Sequence, residues 1–394
     1  MPYFSLFVLA QQGVGPEQLG FIISLRAVGT AAIAPMAGYL ADSLGRKKII
    51  FIGTAGHAAS YLFYFAAHDL NLIVIGSLIE GLSVVHMPAL SAITQDSIAR
   101  NRRGVGLSAT TGLQALPTLV SPLIGGVLAE QMGIDAGMRI GFALAFVVGL
   151  VVATIRLRFL RETVDRTAAP IKPRDVPGLA ARSYHGMFSL LREYQAIRGL
   201  AVIALVDTFF TAVTSPFWVV YAEEAIGITT AEWGLIETIV AAVNITALIV
   251  SGNLVDRFGR KRLILANLAL APVTNLSFIF CRNFSQTLLF RVVLTLQGAF
   301  IMPATTALMA DIIPRKDRGR AIAALGWQPI VVTLGAVPSG FFRFLPFFAG
   351  SALSGYIYDL NPAHAYPWML LAMGYVLELA LCLLIVKEPD KPEE

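Results

Sequence analysis

Runs of about 20 apolar residues recur along this whole chain of 394 residues, and each can cross a bilayer core of about 30 Å as a helix. A soluble core has no need of so many uninterrupted spans. Hydrophobic residues make up 56% of the chain and charged ones 14%, with a mean hydropathy of +0.70. Inside hydrocarbon, every backbone N–H and C=O must be satisfied within a helix or a closed barrel. The runs are too long and too uniformly apolar for barrel strands. The expected fold class is therefore an all-α polytopic membrane protein, in direct contact with the lipid bilayer.

The net charge of +5 does not indicate nucleic-acid binding. Twenty-five of the thirty Lys and Arg fall in 46–48, 100–103, 156–198, 257–262, 315–320 and 387–391. Arg139 and Arg282 fall in the alternate loops, and Arg26, Arg291 and Arg343 inside apolar stretches. This asymmetry places the six basic segments on the cytoplasmic side, and the expected location is the plasma (inner) membrane. The two cysteines, Cys281 and Cys382, suggest neither a metal site nor a disulfide framework. No signal peptide is visible.

In chain order, residues 1–10 are apolar but too few to cross. They read as the outer half of a truncated first helix, whose start lies upstream or which is simply short. Further helices are expected at about 18–41, 49–67, 71–98, 105–129 and 138–158. A linker at 161–198 carries Pro170, Pro173 and Pro177, and its segment MFSLLREYQAIRGL reads as an amphipathic helix on the inner face. Helices then follow at about 199–221, 232–255, 263–281, 285–313, within 321–358, and at 366–386. The expected domains are an N-terminal bundle at 1–160, the cytoplasmic linker at 161–198 and a C-terminal bundle at 199–394.

The second half repeats the first. Gly38 to Lys48, GYLADSLGRKK, matches Gly252 to Arg262, GNLVDRFGRKR, at an offset of 214. Gly38, Asp42, Gly45, Arg46, Lys47 and Lys48 align with Gly252, Asp256, Gly259, Arg260, Lys261 and Arg262. MPALSAITQDSIARNRRG aligns with MPATTALMADIIPRKDRG at an offset of 215, setting Asp96 on Asp311 and Arg103 on Arg318. The repeat then slips. Gly104 to Gly126 is 22 positions and Gly319 to Gly355 is 36, with the excess around AVPSGFFRFLPFF. A bulged helix, a broken helix and a sequence error all remain open there.

The two loops resemble the loop between the second and third helices of major facilitator superfamily transporters, G-x-x-x-D-x-x-G-R-[KR]-[KR]. The resemblance implies two pseudo-symmetric six-helix bundles and alternating access about a central site. It also implies a cytoplasmic latch of Asp42, Arg46 and Asp96 in one half and of Asp256, Arg260 and Asp311 in the other, where ordinary solvated loop charge is the alternative. PTLVSPLIGG resembles the drug/proton antiporter signature G-x-x-x-G-P-x-x-G-G. Pro122, Gly125 and Gly126 match it, whereas Pro117 and Ser121 replace glycines. The alternative is close helix packing through small residues. Sugar-porter signatures are not evident in RFLRET or VKEPDKPEE.

Ionisable groups inside apolar spans are costly unless paired or wet. They are Arg26, Glu80, His86, Asp207, Glu237, Arg291, Arg343 and Glu378. Arg26 and Glu80 both lie roughly 12 Å from the outer ends of their helices at about 1.5 Å per residue. The repeat places Glu237 and Arg291 on the equivalent helices with the signs exchanged. Arg26–Glu80 and Glu237–Arg291 are thus expected as pairs, either merely neutralising each other or serving proton coupling and substrate charge. The resemblance implies a cavity lined by the first, fourth, seventh and tenth helices, and so by Asp207, Glu80 and His86. Gln114, Asn244, Trp327 and Gln328 are further wall candidates.

No Walker loop, G-x-S-x-G or His/Cys cluster is present in the sequence. No enzyme activity, cofactor, metal or nucleic acid is expected. The expected partners are a small-molecule substrate and protons as coupling ion, and the expected state is a monomer. The expected function is proton-coupled export of small organic or amphipathic molecules. Import or facilitated passage of a small metabolite is the first alternative, and a non-transporting sensor or assembly partner the second.

Overall fold

The computed structural model describes residues 2–11, 13–98, 103–163, 176–313, 317–326 and 340–385. All regular structure among them is helical. The first half holds α1 (Phe4–Leu9), α2 (Pro16–Leu44), α3 (Arg46–Phe65), α4 (Leu70–Ser83), α5 (His86–Ser97), α6 (Arg103–Met132) and α7 (Ile134–Phe159). After it comes α8 (Val176–Glu193). The second half holds α9 (Gln195–Thr214), α10 (Trp218–Tyr221) with a π-turn at Ala222–Ile226, α11 (Thr230–Phe258), α12 (Arg260–Ser277) and α13 (Phe284–Ile312). It closes with α14 (Arg318–Leu325), α15 (Phe344–Asp359) and α16 (Tyr366–Ile385). Among the described residues, 8 helical stretches are each long and apolar enough to cross a membrane, and α2, bent by 52° around Pro35, makes a ninth.

Two of the expected spans break beside a proline, although Pro117, Pro122, Pro272 and Pro303 lie inside helices that continue. The stretch expected as one helix at 71–98 is interrupted at Val84 and Val85, whose N–H groups turn back to Gly81 and Leu82 instead of continuing the helical ladder. Pro88, one turn on, has no N–H to give Val84 and its ring crowds that carbonyl. The stretch expected at 199–221 breaks at Ser215–Phe217, around Pro216.

The slipped repeat has a geometric explanation. A side chain on Gly340 would overlap the backbone of Leu325 and Gly326, so the chain returns at Gly340 to the place it left at Gly326. Gly326 turns out of α14 with φ +86°. The 14 positions from Gly326 to Gly340 equal the excess in the second half. The eleventh span is therefore α14 and α15 in repeat register, with Gly326 and Gly340 in contact where it is interrupted.

The halves meet along two seams, α2 against α15 and α6 against α11. A side chain added to Gly20 would overlap the Ser351 carbonyl, and one on Gly355 the Pro16 carbonyl. Across the other seam, Gly126 lies against the Thr230 carbonyl and Gly234 against the Pro122 carbonyl. An offset of 214 carries Pro16 and Gly20 onto Thr230 and Gly234, and one of 229 carries Pro122 and Gly126 onto Ser351 and Gly355. The two seams are thus copies of each other, both tight at the face away from the basic loops. Tyr3 stitches one of them, its hydroxyl donating to the carbonyls of Pro122 at 2.9 Å and Thr230 at 3.0 Å. On the basic face, α8 buries Met187 and Leu190 and sets Tyr184 and Phe188 against Phe341 and Phe342.

Candidate transport site

The basic-face loops turn on glycine. Gly45 (φ +96°) and Gly259 (φ +81°) precede α3 and α12 in a region that side chains rarely tolerate. This explains why both loop copies carry glycine there. The turn presents Arg46 to three groups: Nε donates to Asp42 at 3.1 Å, and Nη1 to Asp96 at 2.5 Å and Thr163 at 3.0 Å. Burial works against the Arg46 charge, but the bonds to Asp96 and Asp42 outweigh it and hold the guanidinium above its usual pKa. In the second half Arg260 and Asp311 form an ion pair. The side chains of Arg103, Gly252, Asp256 and Arg318 lie outside the described residues.

Glu162 was not among the expected latch residues. Its carboxylate accepts the backbone N–H groups of Arg46 at 3.2 Å and Lys47 at 3.1 Å, capping α3 across the interval from α7. Four free N–H groups at the start of α3 were the signal, but a partner more than a hundred residues away is invisible to a local reading. Lys47 and Lys48 share a groove with Arg158, Arg161 and Glu162. Lys261 and Arg262 open α12 in the same manner.

Both ion pairs expected from depth and repeat are formed. Arg26 Nη2 lies 2.6 Å from Glu80 Oε1, and the Tyr64 hydroxyl donates to Glu80 Oε2 at 2.8 Å. Arg291 donates through Nη2 at 2.6 Å and Nε at 3.1 Å to Glu237 Oε1. Its guanidinium also lies 5.7 Å from the centre of the Trp233 ring.

A cavity of about 1700 Å³ lies between α6, α7, α11 and α13, bordered at one end by Pro2 and Tyr3. Its walls are mostly apolar, with Ser121, Asn244, Thr295 and the Glu237–Arg291 pair set into them. Pro122 and Gly125 line it near the tight seam, and Gly112 and Leu248 further along the same helices. This differs from the expected lining. Glu80 and Asp207 are buried, and His86 is wedged against Gly53 with Nδ1 2.6 Å from the Ser83 carbonyl. None of the three borders the cavity. Their expected place is a central cavity between the first, fourth, seventh and tenth helices, whereas this cavity lies between α6, α7, α11 and α13. Of the further wall candidates, Asn244 lines the cavity, Gln114 is exposed elsewhere, and Trp327 and Gln328 lie outside the described residues.

Asp207 instead meets Arg343. The guanidinium donates to Asp207 Oδ2 at 2.5 Å and to Thr208 Oγ1 at 2.6 Å, with both charged side chains buried. Elimination narrows the choice without making it, because Asp207 and Glu378 are both left as acids. Once Glu237 takes Arg291, Arg343 is the remaining base inside the apolar spans of the second half. Outside the spans, at the face opposite the basic loops, burial and neighbouring Glu224 push the Glu223 carboxyl up from its usual pKa.

A family model described as Major Facilitator Superfamily matches residues 1–206 and again residues 200–394. The chain belongs to the Major Facilitator Superfamily. It is a multi-pass membrane transporter, not an enzyme. It is 27% identical over 397 residues to the tetracycline resistance protein, class G, of Vibrio anguillarum, covering 97% of this chain and 90% of that protein. It is also 27% identical over 376 residues to a multi-drug resistance efflux pump PmrA homolog of Lactococcus lactis, covering 91% and 84%. Among solved structures, the nucleoside transporter NupG superposes with a TM-score of 0.74 at 13% identity, covering 98% of this chain and 95% of that one. A D-xylose-proton symporter does so with a TM-score of 0.69 at 17% identity, covering 98% and 92%. At such identities these two structures speak for the fold alone: two pseudo-symmetric helix bundles, as in other members of the superfamily.

Proposed function

We propose that this transporter is a proton-coupled exporter of small, amphipathic organic molecules. Its basic face and residues 161–198 would lie in the cytoplasm, and it would work as a monomer in the plasma (inner) membrane. The observation that carries the reading is the Glu237–Arg291 pair, set into a largely apolar cavity whose walls α6 and α11 come from opposite halves. Apolar walls with a few fixed polar groups suit a ligand that is mostly hydrocarbon and carries one charged or polar end. Because the cavity borders a seam, rocking of the halves would open it to alternate sides. The resistance and efflux names of the curated relatives support export.

The test is proton flux in proteoliposomes challenged with tetraphenylphosphonium, fluorescein and galactose as cationic, anionic and neutral probes. The expected result is flux evoked by one probe class and lost in Glu237→Gln. Evoked flux that survives this substitution would remove the pair from the path. Silence with all three, in folded protein, would defeat the proton-coupled reading.

A further inference from the structure

The Asp207–Arg343 pair has a third charged neighbour. Glu378 of α16 is wholly buried, and neither of its carboxylate oxygens has a hydrogen-bond partner among the described residues. Asp207 and Arg343 are its electrostatic neighbours from α9 and from the turn before α15. On α16 itself, Tyr375 and Cys382 feel its charge, and Cys382 also feels Lys261 from α12. The cluster therefore sets two carboxylates against one deeply buried guanidinium, which already donates to Asp207 and Thr208. Lys261 opens α12 and is only partly buried. An ionised carboxylate sealed away without donors costs several kcal/mol, whereas a carboxyl group escapes that cost by holding a proton.

We infer that Glu378 is a proton-carrying residue of this transporter, protonated in the present conformation and discharged when the second half rearranges. When Glu378 gives its proton to water, Arg343 is the neighbouring cation that offsets the new carboxylate, and its charge is then shared between Glu378 and Asp207. The proton leaves as hydronium, and no other bond is made or broken. Discharge on α16 is thereby tied to the α9–α15 contact, and α15 forms a seam with α2. Glu378 is separate from the Glu237–Arg291 pair, so charge recognition in the cavity and proton carriage would be divided between two places. The inference rests on the proton-coupled reading above.

Two measurements test it, one of them independent of transport. Infrared spectra of the purified protein in lipid at neutral pH, wild type minus Glu378→Gln, should show the loss of a protonated-carboxyl C=O band. Loss of carboxylate bands alone would overturn the proposal. In proteoliposomes, the proton flux evoked by the active probe should fall by an order of magnitude or more in Glu378→Gln, and undiminished flux would overturn the coupling role. A Gln variant that fails to fold would also count against it, because an amide matches a protonated carboxyl in size and charge. A wild type that moves no protons defeats the proton-coupled reading and with it the coupling role. The infrared band still decides whether Glu378 holds a proton.

Discussion

Arg46 shows how much one residue type can matter. Its rigid fork reaches Asp42, Asp96 and Thr163 at once, from Nε and Nη1. A lysine keeps the charge but has a single ammonium on a flexible stem and cannot hold those positions together. Arg46→Lys is therefore expected to cut transport strongly while membrane abundance, measured by immunoblot, is unchanged. Transport at wild-type rate would reduce the loop to an orientation signal. Glu162→Gln tests a different link: it weakens a helix cap, an effect of about 1 kcal/mol, and should lower the melting temperature in detergent by a few degrees with little effect on transport. The sequence made Arg46 and its acids legible because they recur in two aligned copies. Glu162 has no such marker, since its role depends on α7 ending beside α3. The same contrast separates Glu237–Arg291, found from the repeat, from Asp207–Arg343, where the acid and base share no pattern and only packing brings them together.

At the scale of elements, span positions were legible from hydropathy and their breaks were not. Hydropathy reports the cost of leaving water, which Val84 and Val85 meet as well as any helical valine, so the break before Pro88 leaves no trace in it. The eleventh span is more instructive. The spacing from Gly319 to Gly355 revealed an excess of 14 residues, but only the contact of Gly340 with Leu325 and Gly326 shows that the span resumes where it stopped. A helix interrupted in this way should tolerate removal of the interruption, because the ends already lie together. Deleting 326–339, which joins Leu325 to Gly340, is expected to give a protein that reaches the membrane at wild-type abundance and melts within a few degrees of wild type. Failure to accumulate would show that these residues support the span. Transport by the deletion variant then reads whether these residues serve function as well as structure.

For the molecule as a whole, the repeat foretold two similar halves but not the face on which they close. The closed face follows from Gly20, Gly126, Gly234 and Gly355, each so near a carbonyl of the opposite half that no side chain fits. The partial match around Pro122, Gly125 and Gly126 gains its physical content here, because Gly126 must lie bare against Thr230 for the seam to shut. The cavity was less legible, since its walls depend on how α6 and α7 pack against α11 and α13. Alternating access requires the seam to open and close in turn, so a side chain at a glycine should hold it apart. Gly126→Val puts a branched group where the Thr230 carbonyl lies, and its overlap with backbone leaves separation of the halves as the simplest relief. The readout is an Asn244→Cys reporter on the cavity wall, in a background with Cys281→Ser and Cys382→Ser, labelled with a membrane-impermeant maleimide from the side opposite the basic loops. With Gly126 intact and the seam shut, labelling from that side should be slow. With Gly126→Val it should be fast, and transport should be lost because the cycle no longer completes. Equal labelling in the two proteins would mean that the seam is not the barrier on that face, and the gate would have to be sought elsewhere along the cavity.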